Sequence, residues 1–249
     1  MEKFSAETFL NLARYLADVR HRLEEFSSSN STLAPMQKDG GGYNTLIAIR
    51  GLCERIGLRI SVKCVDHLIV QSAKEEPKTD VVIEAVAQIE RTIRWEMEDK
   101  LFMYIPPERA ERYDRKDLLG EDVNTKFPAL QYDIAEAGTC YACGRSTAVV
   151  FHLMRIMEAG VQAFGTKLGV PLVKGKVWQV ILDGINAAIK ALHKDPATVE
   201  LSQIAANLYS VKLAWRNEVM HPKDTYTLEE ADNLIRQVKI FMEQLAKVV

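Results

Sequence analysis

Six apolar residues, Phe9, Leu12, Leu16, Val19, Leu23 and Phe26, follow one another at alternating steps of three and four. That spacing lines one face of a helix with 3.6 residues per turn, so the chain is expected to open on a long amphipathic helix. Residues 27–44 gather serines, Pro35 and the run Gly40, Gly41, Gly42, and read as a flexible loop. Helical spacing resumes over 46–56. Residues 58–72 carry two signals: Ile60, Val62 and Cys64 alternate as in a strand, whereas Val65, Leu68 and Ile69 step as in a helix. No partner strand is evident elsewhere, which favours the helix. Over 81–104 a further stripe runs through Val82, Ala85, Ile89, Ile93, Met97 and Leu101, with Pro106 and Pro107 as its stop. Residues 108–133 are charged, aromatic and without period, and read as a connector packed over the surface.

Four helices are expected to follow in close order. The first covers 140–168 and is closed by Gly169 and Pro171; the second covers 177–193 and ends before Pro196. The third, 198–220, places Leu201, Ile204, Leu208, Val211, Trp215 and Val219 along one face. The fourth, 228–248, has Thr227 as its N-cap and Glu230 three residues on, the pair that makes a capping box. Short links between helices of similar length make antiparallel neighbours. The expected fold class is therefore all-α: a C-terminal antiparallel four-helix bundle over 138–249, preceded by an N-terminal helical region over 1–135 with a regulatory or recognition role.

Composition changes this picture little. The chain has 249 residues, 47% hydrophobic and 27% charged, which suits ordinary globular domains. The formal net charge of −2 excludes a polyanion-binding field over the whole molecule. From Gly138 onward, however, 13 Lys and Arg stand against 10 Asp and Glu, which permits a local RNA-contacting patch. No apolar run is long enough to cross a bilayer, and the first ten residues lack a secretory pattern, so a cytoplasmic protein without membrane contact is expected. Four cysteines, Cys53, Cys64, Cys140 and Cys143, are too few and too dispersed for a disulfide scaffold. Cys140 and Cys143 have the spacing of half a zinc site, but no second pair follows. Buried free thiols are the expectation, with no metal and no cofactor.

The candidate chemistry lies at the end of the third helix, in Arg216-Asn217-Glu218-Val219-Met220-His221. Pro222 disfavours helical geometry for the residue before it, so His221 is expected at or just past the helix terminus. The negative end of the helix dipole favours protonated imidazole there. A histidine poised near neutrality is a general acid or base, and Arg216 presents a permanent cation whose fork fits phosphate oxygens. Asn217 lies four positions before His221 and can orient its ring. Such a set can cleave RNA without metal: the ribose 2′-hydroxyl attacks the adjacent phosphate while the cation stabilises the growing charge. The spacing itself is common in this chain, since Arg14 with His21 and Arg145 with His152 satisfy a looser version. A plain ion pair of Arg216 with Glu218 is the structural alternative.

The string "WRNEVMHP", followed by "TLEEADNLIRQVKIFMEQL", resembles the HEPN domain (higher eukaryotes and prokaryotes nucleotide-binding), over about the last 110 residues. The preceding "EAGTCYACGRSTAVVFHLMRIMEAG" resembles the first helix of bacterial HEPN-containing proteins. The resemblance implies a metal-independent endoribonuclease of a toxin, defence or RNA-surveillance system. It implies a composite site in a two-fold homodimer, with Arg216 and His221 as catalytic residues and Asn217 as the polar residue beside them. It also implies RNA as substrate and an antitoxin or defence-system protein as partner. Toxins paired with small nucleotidyltransferases often carry a tyrosine two residues after the histidine; here that position is Lys223, and Tyr226 is out of register. Other members of the family serve as non-catalytic dimerisation, nucleotide-binding or RNA-binding modules, and that reading stays open.

A second candidate lies on the first bundle helix, where Arg145, His152 and Arg155 fall near one face. With Lys223 they are expected to supply supplementary substrate contacts to phosphate. The alternative is an internal Arg155–Glu158 ion pair. The helix is apolar on two further sides, Val149/Leu153/Ile156/Gly160/Phe164 and Phe151/Met154/Val161. One is expected inside the bundle and the other against a dimer mate or the N-terminal half. Trp178 and Trp215 are expected in the core.

Overall fold

A computed structural model describes residues 5–29, 41–74, 78–171, 178–193, 195–211 and 225–249. Among these residues the fold is all-α: eleven α-helices, one 3₁₀ turn and no strand. The chain divides into two compact units, Met1–Met103 and Tyr104–Val249.

The first unit holds α1 (Ala6–Ser29), α2 (Gly41–Ile56), α3 (Arg59–Lys74) and α4 (Thr79–Glu98). Each packs on two neighbours: α1 on α2 and α4, and α3 on α2 and α4. Leu12, Val19 and Leu23 of the opening stripe are buried, as helical spacing requires, against Leu46, Ile49, Val65, Val82 and Ile89. The strand-like alternation at 60–64 is coincidental, for α3 runs through it. Ile60 is exposed and Ser61 is buried, because Glu96 of α4 caps this helix start. The Glu96 carboxylate accepts from the Ile60 amide at 3.0 Å, the Ser61 amide at 2.7 Å and the Ser61 hydroxyl at 2.6 Å. Helix α2 ends in a left-handed Gly57, φ 77°, with the Leu58 amide donating back to the Cys53 carbonyl at 2.8 Å.

Two boundaries differ from expectation here. Helix α1 continues to Ser29 and α2 already begins at Gly41, so both ends of the expected 27–44 loop are helical. Helix α4 stops at Glu98, well short of Tyr104 and of the prolines. Beyond it the chain carries Phe102 back onto α1, where its ring meets Phe9 edge-on at 5.0 Å between centroids.

The second unit holds α5 (Pro107–Ala110), α6 (Glu121–Lys126), a 3₁₀ turn (Pro128–Leu130), α7 (Gln131–Ala142), α8 (Ser146–Lys167), α9 (Trp178–Ala191), α10 (Pro196–Val211) and α11 (Leu228–Val248). Helix α8 packs on α7, α9 and α11; α10 packs on α9 and α11; α6 and α7 lie against α11. The expected surface connector is in fact part of this core: Leu119 and Val123 are fully buried, with Leu118 and Leu130 beside them. Its turn docks on α7 closely enough that the Arg112 carbonyl occupies the space a Cβ on Gly138 would need. The Arg112 guanidinium lies over the Tyr141 ring at 4.2 Å and pairs with Asp232 of α11 at 2.5 Å.

The expected helix over 140–168 is two helices. Gly144, φ 71°, adopts the left-handed conformation, and the Arg145 amide donates to the Cys140 carbonyl at 2.8 Å, which closes α7 and turns the chain back. Both apolar faces of α8 are used within the unit to different degrees. Val149, Leu153, Ile156 and Phe164 are buried, and Val161 is also buried, while Phe151 remains exposed. Trp178 is buried, as its spacing predicts. Helix α8 ends at Lys167 with Gly169 at φ 70°, and α11 opens with the expected capping box between Thr227 and Glu230.

A candidate polar site on the α7–α8 hairpin

A three-residue link between α7 and α8 makes the two helices antiparallel neighbours, so residues equally distant from Gly144 face each other. On α7, Asp133, Glu136 and Cys140 stand at i, i+3 and i+7, which puts all three on one face. On α8, His152 and Arg155 at i and i+3 share the opposing face. The pairing of the helices brings these five side chains together.

Asp133 is the centre of the group. It is 5% exposed, and a single carboxylate oxygen, Oδ1, meets both His152 Nδ1 at 2.9 Å and Arg155 Nε at 2.7 Å. Burial pushes the Asp133 carboxyl up, but the hydrogen bonds and charges of Arg155 and His152 outweigh it and hold the group below the usual carboxylate range. An ionised carboxylate only accepts, so Nδ1 of His152 is the donor in this hydrogen bond. The ring is held between Phe151 and Tyr132, edge-on at 5.7 Å and 6.3 Å between centroids. Beside it, one ligating atom each of Glu136, Cys140 and His152 lie within 4.8 Å of one another. Burial and the neighbouring Glu136 charge push the Cys140 thiol up, partly opposed by Arg145.

This arrangement changes how the sequence-predicted contacts read. His152 and Arg155 do share a site, yet both are turned to Asp133; the ion pair of Arg155 is with Asp133 and not with Glu158, the partner that the alternative reading named. The Arg155 side chain is 55% exposed, so part of its guanidinium faces solvent. Arg145 is exposed and serves as the N-cap residue of α8, outside the helix in which it was expected. Arg216, Asn217, His221 and Lys223 lie outside the described residues, as does Trp215. What the described residues show is where that segment leaves and re-enters: Val211 is buried in the core at the end of α10. Tyr226, on the far side, donates its amide to Thr147 Oγ1 at 3.2 Å and accepts from Ser146 through its carbonyl. Re-entry is thus fastened to the first turn of α8, next to Arg145.

Sequence reasoning passed over Asp133 and Glu136, and weighed Cys140 only with Cys143. The signal was present as the i, i+3, i+7 spacing of Asp133, Glu136 and Cys140. Those three positions share a face because α7 begins at Gln131 and ends before α8. Both Cys140 and Cys143 are free thiols, the first buried and the second half-buried. No helix among the described residues is long and apolar enough to cross a membrane. No protein-family model matches the chain, and neither a curated protein nor a solved structure matches it.

Proposed function

We propose that this chain is a metal-independent endoribonuclease of defence or toxin type, built on an HEPN-like four-helix bundle of α8, α9, α10 and α11. Arg216 and His221 act in a composite site across a homodimer. The support is the Arg216-Asn217-…-His221 sequence, which follows α10 in the chain, with Tyr226 beyond it held against α8 beside Arg145. In this reading the ribose 2′-oxygen attacks phosphorus as His221 takes its proton, and the 5′-oxygen leaves with a returned proton. The products are a 2′,3′-cyclic phosphate and a 5′-hydroxyl. Arg216 stabilises the phosphorane charge and Asn217 orients the imidazole. RNA is the substrate, the first unit restrains or triggers the nuclease together with an antitoxin or defence-system partner, and the setting is cytoplasmic.

The test is incubation of the purified chain with total RNA and tRNA, with cut ends mapped for cyclic phosphate. Wild type cleaves in the presence of EDTA, and Arg216→Ala and His221→Ala each reduce cleavage by roughly a hundredfold or more. Undiminished cleavage by both variants rejects the assignment. A second reading, a non-catalytic HEPN-like dimerisation or RNA-binding module, is favoured by one observation. Asp133 already engages His152 and Arg155, two of the side chains expected to meet phosphate. RNA binding with no cyclic-phosphate ends in any condition selects it.

A further inference from the structure

The α7–α8 hairpin holds a donor set that the ribonuclease reading leaves unused. Glu136 offers a carboxylate oxygen, Cys140 a sulfur and His152 a ring nitrogen, mutually within 4.8 Å. We propose that Glu136, Cys140 and His152 form a binding site for one divalent transition-metal ion of the zinc type, with Asp133 as the positioning residue behind His152.

Four features carry this. The ligands of a tetrahedral zinc, at 2.0–2.3 Å from the ion, lie about 3.5 Å apart, so small rotamer adjustments close the present cluster onto a metal. The donors are mixed sulfur, nitrogen and oxygen, which suits zinc and its neighbours in the first transition row and not magnesium or calcium. The carboxylate of Asp133 accepts from Nδ1 at 2.9 Å, which holds the ring in place and would leave Nε2 as its metal-binding atom. That carboxylate–histidine relay is the usual outer shell of a zinc-bound imidazole. Finally, the cluster differs from a patch of surface acids: Cys140 is 8% exposed and the His152 side chain 15%.

Three protein ligands leave a fourth position for water or a substrate atom, as in sites where the metal works as a Lewis acid. Loading is balanced by loss of the Cys140 thiol proton to solvent, giving a metal-bound thiolate. The ion would sit across α7 and α8 and cross-link the hairpin. The proposal is independent of RNA cleavage, since its readout is metal binding.

The full-length chain, stripped with a chelator and kept reduced, is titrated with cobalt(II) and then with zinc. One cobalt per chain is expected, with an intense thiolate-to-cobalt absorption band that zinc abolishes. Cys140→Ser removes the band while far-ultraviolet circular dichroism stays helical, and Cys143→Ser keeps it. Asp133→Asn keeps the band but weakens affinity by roughly 10- to 100-fold. Should Cys140→Ser lose its helical signal, His152→Gln decides instead: a loss of affinity of roughly tenfold or more supports the site, and unchanged affinity overturns it. Absence of the band in wild type overturns the proposal, and so does a band that survives Cys140→Ser but vanishes in Cys143→Ser.

Discussion

Cys53 in the first unit and Cys140 in the second are both buried, yet their surroundings differ in kind. Cys53 lies on α2 among Leu46, Ile49, Val65 and Ile89, and burial, aided by the Glu96 charge, pushes its thiol up to about 12. Glu96 itself is spent on backbone, closing the start of α3. Cys140 faces a histidine and a carboxylate, and that histidine has a second carboxylate behind it. Glu96 in the first unit finishes a helix, whereas Asp133, Glu136, Cys140 and His152 in the second are turned toward one another. Burial of a thiol therefore says little about function, and the identity of its neighbours says much more.

The largest effect that tests this contrast is thiol reactivity. With its thiol moved from an ordinary 9.0 to about 12, Cys53 at pH 8 carries roughly a thousandfold less thiolate than an unperturbed cysteine. Alkylation of the native chain followed by peptide mapping should leave Cys53 unlabelled until the protein is unfolded, with or without added zinc. Cys140 labelling should instead fall on zinc addition. Equal labelling of Cys53 and Cys143 in the native chain would break the comparison.

Next in size is a substitution on the back of the same hairpin. A Cβ on Gly138 collides with the Arg112 carbonyl oxygen, a backbone atom that no side-chain rotation can move aside. Overpacking of this kind costs about 1–3 kcal/mol, and the gain in helix propensity offsets only part of it. Gly138→Ala should lower the unfolding midpoint of the second unit and leave exchange protection of α2 and α3 unchanged.

Acid titration compares carboxylates across the units. Glu96 is held below its ordinary 4.5: burial raises it, but the Ser61 and Ile60 hydrogen bonds and the Lys100 charge win. Asp133 is held below 3.8, its burial outweighed by Arg155 and His152. A folded-state value below the unfolded one means that the stabilisation is complete above the unfolded value and is lost as pH falls through the folded one. Hydrogen-exchange protection factors, corrected for the intrinsic rate at each pH, should therefore be flat above about pH 5 and should fall below about pH 4, in α3 through Glu96 and in α7–α8 through Asp133. Glu96→Gln should flatten the α3 response alone, at a cost of about 1 kcal/mol, as for loss of a helix cap.

How much of this was legible follows from the range of the interactions. Local signals read through: the stripe of α1, the Thr227–Glu230 box and the Gly169 stop each depend on residues a few positions apart. The break at Gly144 was hidden because apolar residues continue at helical spacing on both sides of it. The 108–133 stretch looked superficial because Leu118, Leu119 and Val123 are buried by distant helices and not by their own period. Asp133 was missed for the same reason. Its role exists only when α7 folds back along α8, a tertiary fact that no spacing within either helix reports. The bundle over 138–249 and the Arg216–His221 chemistry still rest on sequence, since the segment that bears the motif lies outside the described residues.

The smallest effect carries the opposite sign and sharpens the comparison between units. Gly51 sits in the interior of α2, exposed, with no atom within 4 Å of a Cβ placed on it. Alanine there restricts the unfolded chain and adds helix propensity without touching anything, so Gly51→Ala should stabilise the first unit by about 0.5–1 kcal/mol. The measurement is the denaturant midpoint of the isolated full-length chain, beside that of Gly138→Ala. Two helical glycines would then answer in opposite directions, one because a backbone carbonyl abuts it and the other because nothing does. A destabilised Gly51→Ala variant would mean that this face of α2 is covered in solution. The first unit would then have to be understood as half of an interface and not as a free-standing helical domain.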